Sequence, residues 1–225
     1  MSLIEIRPPQ SVEEYHEACA MVEKVYREAG YVPDHVPMIH PGAIILAMKN
    51  QSIVGSIGLQ GADQGLLPTE RAFGFRGEAY SGYNRASLFE PQRLAIVDRA
   101  DVGLIKGLIA GIIQHTTENY TGNHWFMTIK PTLAKVLWRY CHLQTDPLDF
   151  EVQPEAVPAH PGYWGTTPLP TSVRITRSQI DASFLRLSHE LKDRVRFNLS
   201  SFDHHLDYGN EATYQQRRLL EPIAC

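Results

Sequence analysis

The sequence predicts an α/β protein with a mixed central sheet, splayed at its fourth strand, and helices on both faces. Two apolar runs joined at Asn50-Gln51 indicate an antiparallel hairpin. A nearly continuous apolar run over residues 88–97 indicates a strand that is covered on both faces. Helical and strand patterns then alternate, which is typical of parallel βαβ units. We therefore expect an antiparallel first half and a βαβ second half.

Composition narrows the class of protein. The chain has 225 residues and a net charge of −4, and this acidic balance disfavours nucleic-acid binding. The N-terminus lacks the apolar core of a signal peptide, and the most apolar helical run, residues 103–113, is too short to span a bilayer. Cys19, Cys141 and Cys225 form no spaced pair. These features predict a cytoplasmic protein with reduced thiols that is not an integral membrane protein.

The first half begins with a strand over residues 3–7 and a helix from Ser11, where Glu14 completes a capping-box pattern and Gly30 ends the helix. Strands over residues 43–49 and 52–60 form the hairpin.

The next 27 residues, 61–87, are an irregular stretch with a short helix expected near residues 69–73. Its aromatic residues either line a pocket or anchor the loop to the body of the protein, and the pattern does not separate these two interpretations. They are Phe73, Phe75, Tyr80 and Tyr83.

The strand over residues 88–97 carries two charges, Glu90 and Arg93, which a buried strand avoids unless they are paired or used. An odd spacing places them on opposite faces of a regular strand. Pro91 lies between them and cannot donate to a ladder. We predict a bulge at Pro91 that brings both charges to one side and splays this strand from a neighbour, which opens a cleft.

The second half continues with a helix in which Gly103, Gly107 and Gly111 recur every four residues; close packing of helix on sheet explains them better than ligand contact. The remaining pattern predicts a strand over residues 124–129 and a helix over residues 131–142. An extended proline-rich connection over residues 153–171 and a strand over residues 173–176 follow. A long amphipathic helix over residues 178–199 and a short terminal helix over residues 211–220 are predicted last.

Four motifs in this order resemble the GNAT superfamily of acyltransferases. Residues 25–32 (VYREAGYV) and 63–68 (DQGLLP) resemble segments of long-chain N-acyl amino acid synthases. Residues 90–96 (EPQRLAI) resemble the glutamate-x-x-arginine strand that those enzymes share with acyl-homoserine-lactone synthases. Residues 124–131 (HWFMTIKP) resemble their histidine-tryptophan strand that runs into a proline-started helix. The resemblance covers roughly residues 11–150.

The resemblance implies a GNAT fold and an enzyme that transfers an acyl group from a carrier-protein or coenzyme A thioester to an amine. We expect a GNAT-like acyltransferase domain over residues 1–177, and residues 178–225, which lie beyond the resemblance, are expected to form a helical extension packed on the same domain. Such chemistry needs a neutral amine, so a base must remove a proton, and Glu90 at the cleft is the candidate. Arg93 would hold Glu90 or the carboxylate of the acceptor. The competing interpretation is a buried structural ion pair.

The acyl donor is expected along the strand after Arg93, with its carbonyl against backbone N–H groups freed by the splay and any phosphate near the start of the next helix. The expected donor-binding residues are Leu94, Ala95, Ile96, Val97, Arg99 and Gly103. The glycine-rich loop of coenzyme A-binding members is missing, and Asp101 is unfavourable beside a pyrophosphate. These departures favour an acyl carrier protein over free coenzyme A.

The resemblance also implies residues around the acceptor and the acyl chain. They are Tyr26, Tyr31, Asp63, Phe75, Trp125 and Trp138. Trp138 stands where many acetyltransferases have a tyrosine that protonates the leaving thiolate, so no acid is assigned, and Trp138 is interpreted as a core residue or pocket wall.

The leading hypothesis is a synthase of N-acyl amino acids, with a small-molecule amine as acceptor and no permanently bound cofactor. The alternatives are an ordinary acetyl-coenzyme A-dependent GNAT acetyltransferase and a non-catalytic acyl-binding or sensory module. Residues 203–207 (DHHLD) are adjacent and converge poorly, so no metal site is expected. The helix from Ser178 is a candidate cap for the acyl pocket or a candidate homodimer surface. A basic face for a carrier protein would use Arg194, Arg196, Arg217 and Arg218.

Overall fold

The computed structural model describes residues 3–34, 38, 40–41, 43–74, 83–98, 101–119, 124–153 and 162–199. Within these residues one sheet has eight strands: β1 (Ile4–Arg7), β2 (Ala43–Lys49), β3 (Ser52–Gly61), β4 (Leu88–Ile96), β5 (His124–Ile129), β6 (Asp146–Pro147), β7 (Thr171–Ile175) and β8 (Val195–Phe197). The helices are α1 (Val12–Glu28), α2 (Pro68–Phe73), α3 (Val102–Asn119), α4 (Pro131–Cys141), α5 (Gly162–Gly165) and α6 (Arg177–Leu191). None of the described helices is long and apolar enough to cross a membrane.

The sheet order is β6-β7-β5-β4-β3-β2-β1-β8. Strands β4 and β5 are parallel, as are β1 and β8, and the other neighbours are antiparallel. The predicted antiparallel first half and βαβ second half are therefore confirmed. On one face of the sheet, Tyr15 and Ala18 of helix α1 pack against Ile44 and Leu46 of β2. The main core lies on the other face, where apolar residues of α3, α4 and α6 meet the sheet.

The predicted start of α1 is confirmed, but its capping box is only half formed. The side chain of Ser11 accepts a hydrogen bond from the backbone N–H of Glu14 at 3.2 Å. The carboxylate of Glu14 does not return to Ser11. It accepts the backbone N–H of Gln10 at 2.7 Å and pairs with the Arg7 guanidinium at 2.6 Å. This pair joins the helix to β1.

The hairpin is as predicted, with β3 one residue longer. Asn50 and Gln51 have φ values of 52° and 65°, which is the left-handed conformation of a two-residue turn that matches the twist of the strands. The short helix expected near residues 69–73 is α2.

The predicted bulge exists, but its position was wrong. On β3 the register moves from Gly58 to Ser56, while on β4 it moves from Gln92 to Ala95, so β4 contains one extra residue. Arg93 lies inside this step with a φ of 56°, whereas Pro91 pairs regularly with Leu59. The left-handed conformation of Arg93 alone accommodates the extra residue. Pro91 therefore does not cause the bulge, and its only effect is that its nitrogen cannot donate a hydrogen bond to the ladder.

The predicted splay is present at β4. This strand pairs with β5 only at Leu88 and Phe89, although it continues to Ile96. Beyond Phe89 and Trp125 the described residues of the two parallel strands form no further ladder pairs, so the strands separate there. The cleft that we expected opens there.

The glycines of α3 allow close approach to the sheet, as predicted. A Cβ atom at Gly111 would lie 2.6 Å from Cγ2 of Ile6, and one at Gly107 would lie 3.1 Å from Cδ1 of the same isoleucine. Larger residues would push α3 away from β1, so these glycines serve packing.

Three predictions for the second half need correction. The long helix ends at Leu191 instead of residue 199, and the chain then forms β8, which pairs with β1. The connection over residues 153–171 contains the helix α5. Val97 lies just past the end of β4 and is 60% exposed. The short helix predicted over residues 211–220 and the DHHLD segment lie outside the described residues.

Candidate active site

Glu90 lies buried where β4 leaves β5, on the sheet face that carries α1 and α2. Its carboxylate accepts the backbone N–H of Thr69, in the first turn of α2, at 2.8 Å. The hydroxyl of Thr69 is 2.9 Å from that of Thr128 on β5. Helix α2 therefore spans the cleft and connects the carboxylate to the far strand.

Burial raises the pKa of Glu90 to about 7, because a charged carboxylate loses its hydration there. Hydrogen-bonding groups of Thr69 and Thr128 favour the charged form and oppose part of this effect. A carboxyl group that titrates near neutral pH can take up and release protons during a reaction.

Arg93 shares the face of Glu90 but does not pair with it. Its guanidinium carbon lies 5.9 Å from the ring centroid of Tyr26 on α1, and the side chain is half-buried. Arg93 forms no ion pair with any described carboxylate. The interpretation as a buried structural ion pair is therefore wrong for these two residues. The bulge places the Arg93 guanidinium beside the aromatic ring of Tyr26.

Three tyrosine rings surround the cleft on this face. Tyr26 and Tyr31 stand edge-on with centroids 5.8 Å apart, and Tyr31 meets Tyr163 of α5 at 5.3 Å. The hydroxyl of Tyr163 donates to the backbone carbonyl of Thr128 at 3.3 Å. Burial is the main cause that raises the pKa of Tyr163, and the neighbouring Glu90 carboxylate adds to it.

Sequence reasoning missed Tyr163, because the proline-rich stretch around it was predicted to be extended throughout. The available signal was the pair Tyr163-Trp164 between two glycines. Lys130 holds the following segment in place: its ammonium donates to the carbonyl of Thr166 at 2.5 Å and to that of Pro168 at 3.0 Å.

A second feature that the sequence did not reveal is the support of α2. The carboxylate of Glu70 is 1% exposed and binds the Arg85 guanidinium at 2.7 and 2.8 Å. Arg85 also donates to the carbonyls of Ala62 and Gly65, at 3.0 and 2.8 Å. Arg85 thus connects the segment before α2, at Ala62 and Gly65, with Glu70 inside the helix.

The other residues predicted around the acceptor and acyl chain have mixed positions. Trp125 is fully buried in the main core. Trp138 is 67% exposed on α4, so its interpretation as a core residue or pocket wall was wrong. Asp63 is exposed in a short helical turn after β3. Phe75 lies outside the described residues, as does Arg99 from the donor set.

The expected donor strand varies in burial. Ala95 is buried against α1 and Leu94 packs on the main core. At the start of α3, the backbone N–H of Gly103 donates to the side chain of Asp101 at 3.0 Å, and Lys49 pairs with the same carboxylate at 3.3 Å. The chain's own carboxylate therefore occupies the start of α3, where a phosphate of the acyl donor is expected.

Comparison with solved structures connects this geometry to known proteins. FeeM, an N-acyl amino acid synthase from uncultured soil microbes, matches with a TM-score of 0.58 over 84% of this chain and 99% of its own, at 17% identity. BjaI, a coenzyme A-dependent acyl-homoserine lactone synthase, matches with a TM-score of 0.51 over 95% of this chain and 100% of its own, at 16% identity.

The chain has the GNAT fold. LasI, an acyl-homoserine lactone (AHL) synthase, also matches this chain, with a TM-score of 0.51 over 78% of this chain and 90% of its own, at 13% identity. No family model matches the sequence, and no curated protein matches it significantly. The resemblance inferred from the four motifs is thus confirmed at the level of the fold.

Proposed function

We propose that this GNAT-fold chain is an N-acyltransferase that moves a long-chain acyl group from a thioester to the amine of an amino acid. The observation that carries the proposal is Glu90: a buried carboxyl with a pKa of about 7 at the point where β4 and β5 separate. The likeness of the fold to an N-acyl amino acid synthase and to two acyl-homoserine lactone synthases supports this reaction class.

Glu90 is the proposed base. The acceptor approaches from the face of α1 and α2, and its ammonium group loses a proton to the carboxylate, directly or through a water molecule. The neutral nitrogen then attacks the thioester carbonyl, which lies in the splay. Backbone N–H groups that the splay leaves without a strand partner stabilise the developing oxyanion. Collapse of the intermediate breaks the carbon–sulfur bond and leaves an amide.

Arg93 is the proposed recognition group for the acceptor's carboxylate. It has no carboxylate partner among the described residues, and its planar fork suits two carboxylate oxygens. Contact with the Tyr26 ring orients the guanidinium. An α-amino acid would place its amine toward Glu90 while its carboxylate binds Arg93.

An acyl carrier protein is the proposed donor. Asp101 already caps the start of α3, which disfavours a pyrophosphate there. Helix α4 contains no acidic residue and exposes Lys135 and Arg139 around the exposed Trp138. A basic helix surface with an aromatic centre fits an acidic protein partner.

The deciding experiment incubates purified protein with a long-chain acyl carrier protein thioester and a mixture of amino acids, followed by mass spectrometry. We expect a new species with the mass of a fatty acyl chain joined to one amino acid, and its loss in the Glu90→Gln variant. Undiminished turnover in that variant would exclude Glu90 as the base. Absence of product from every thioester would leave the non-catalytic acyl-binding module.

The donor is tested by reversing the charge on α4. The double variant Lys135→Glu and Arg139→Glu should raise the KM for acyl carrier protein at least about tenfold, because the positive surface that attracts the partner is lost. The matched control is Lys24→Glu on α1, on the opposite face of the sheet. Activity on acyl-pantetheine should stay unchanged in both. Preference for acyl-coenzyme A over the carrier protein would contradict this part of the proposal.

A further inference from the structure

Thr69 of α2 contacts the proposed base through its side chain as well as its backbone. The backbone N–H of Thr69 donates to the Glu90 carboxylate at 2.8 Å. The side chain is fully buried, and a hydrogen bond from its hydroxyl lowers the pKa of Glu90. One residue thus supplies two donors to the same buried carboxylate, and the mechanism proposed above gives the hydroxyl no role.

The hydroxyl of Thr128 orients that of Thr69. The two hydroxyl oxygens lie 2.9 Å apart, so one of them donates its hydrogen to the other. A charged carboxylate only accepts hydrogen bonds, so Thr69 donates its hydrogen to Glu90 and accepts that of Thr128. The resulting chain of hydrogen bonds runs from β5 through α2 to β4 and crosses the splay between the two strands.

The burial of Glu90 makes this chain of hydrogen bonds important. The residue is 3% exposed, so its charge must be compensated mainly by hydrogen bonds instead of water. Hydrogen bonds in such a place are stronger than in water, and each polarises the next. The ion pair of Glu70 with Arg85 holds α2, which keeps the donors of Thr69 in place. The charged form of Glu90, which is the form that accepts a proton, therefore depends on Thr69.

We infer that Thr69 is a positioning residue for the proposed reaction: its hydroxyl, oriented by Thr128, holds the Glu90 carboxylate in its charged, proton-accepting form. This inference rests on the proposed function. The hydroxyl keeps its own hydrogen throughout, and no covalent bond of Thr69 forms or breaks. Thr69 acts on the reaction through Glu90, which takes the proton from the ammonium group of the acceptor.

The test uses Thr69→Val, which keeps the size of the side chain and the backbone N–H and removes the hydroxyl. The pKa of Glu90 should rise, because the charged form loses a donor, so the acidic limb of kcat/KM moves to higher pH. We expect kcat/KM to fall about tenfold at pH 6 and to match wild type at pH 9. Thr69→Ser restores the hydroxyl and should restore the profile. Thr128→Val should shift the profile in the same direction by less.

Ser172→Ala is the matched control. Ser172 lies opposite Thr128 on β7 and is also fully buried, but its hydroxyl donates to the carbonyl of Leu148 at 3.4 Å. Its removal should leave the pH profile unchanged. A loss of rate in Thr69→Val by the same factor at every pH would show a structural role and overturn the inference.

A second measurement follows the ionisation of Glu90 without turnover. Carbon-13 NMR of the glutamate carboxyl groups gives its titration, and Glu90→Gln identifies the signal. The midpoint should move to higher pH in Thr69→Val, and an unchanged midpoint would overturn the inference. Absence of product from the wild-type protein would overturn the proposed function, whereas the NMR titration would still decide the effect of Thr69 on Glu90.

Discussion

The burial of Glu90 lowers the stability of the folded protein but favours the proposed reaction. Its burial removes hydration from the carboxylate, which costs free energy of folding whenever the group is charged. The same burial brings its pKa near neutrality, where a base works best. A residue selected for stability alone would be uncharged at this place in a strand.

The Glu90→Gln variant tests this cost through pH. The pKa of Glu90 is about 7 in the folded protein against 4.5 for the free side chain. Between these values the unfolded chain ionises while the folded protein does not, so the wild-type free energy of unfolding decreases as pH rises. We expect the variant to be more stable than wild type by about 3 kcal/mol at pH 8 and similar to it at pH 4. Urea unfolding at both pH values measures this. A difference that does not change with pH would contradict it.

Arg93 carries the strain of the bulge in its backbone. A φ of 56° is unfavourable for a residue with a Cβ atom and costs glycine nothing. Arg93→Gly should therefore be more stable than Arg93→Ala by about 1 kcal/mol, since both lose the contact with Tyr26 and differ only in the backbone.

The neighbouring position provides the control for this comparison. Gln92 lies in the regular part of β4, opposite Gly58, and is absent from the residues with positive φ. There Gly should be less stable than Ala, because glycine weakens a strand interior. Thermal unfolding of the four variants measures both differences. The same sign at both positions would refute the assignment of the bulge to Arg93.

At the next level, α2 is a short helix whose stability comes from its surroundings. Six residues are too few for a helix to be stable alone, so the ion pair of Glu70 with Arg85 and the packing of Phe73 must hold it. The pair matters for the candidate site because Thr69, next to Glu70, donates to Glu90.

Arg85→Ala should lower the free energy of unfolding by about 2 kcal/mol, since it removes the guanidinium that pairs with the buried Glu70 carboxylate and leaves mainly the backbone N–H of Leu67 to compensate the charge. This is less than for a fully buried pair, because the Arg85 side chain is 43% exposed. Adding Glu70→Gln should recover part of the loss. Chemical denaturation measures the three variants. As a control, Arg177→Ala, which breaks the exposed pair with Asp181, should cost less than about 1 kcal/mol. No recovery in the double variant would contradict this account.

At the scale of the whole molecule, strand β8 brings the C-terminal part of the described chain beside its first strand, β1. Residues 195–197 pair with β1, and the backbone N–H of Asn198 donates to Ile6 at 2.8 Å. Helix α6 packs on α3 before the chain reaches this edge. We therefore propose that residues 178–199 belong to the same cooperative unit as residues 3–177.

Two adjacent substitutions in β8 test this unit. Val195→Asp should lower the free energy of unfolding by about 3 kcal/mol, because Val195 is buried near Gly107 and an aspartate there would be unpaired. Arg196→Gln on the exposed side should cost at most about 1 kcal/mol. Circular dichroism and tryptophan fluorescence should report one coincident transition. Separate transitions, or a neutral Val195→Asp, would show that β8 folds independently.

Local chemistry made much of the fold predictable. Ser11 and Gly30 mark the ends of α1, Asn50-Gln51 marks the hairpin, and the spacing of glycines in α3 indicates close packing, since each depends on residues that are neighbours along the chain. The position of Glu90 within a strand pattern identified the candidate base in the same way.

Contacts between distant segments decided the rest. The extra residue of β4 was assigned to Pro91, but the ladder with β3 places it at Arg93. Tyr163 meets Thr128, and Arg85 meets Glu70, only after the loops between them have folded. Residues 195–197 pair with β1 because the edge of the sheet is open there, although their sequence continues a helical pattern. Local propensity differs by about 1 kcal/mol between conformations, and burial and strand pairing across the folded chain exceed that difference.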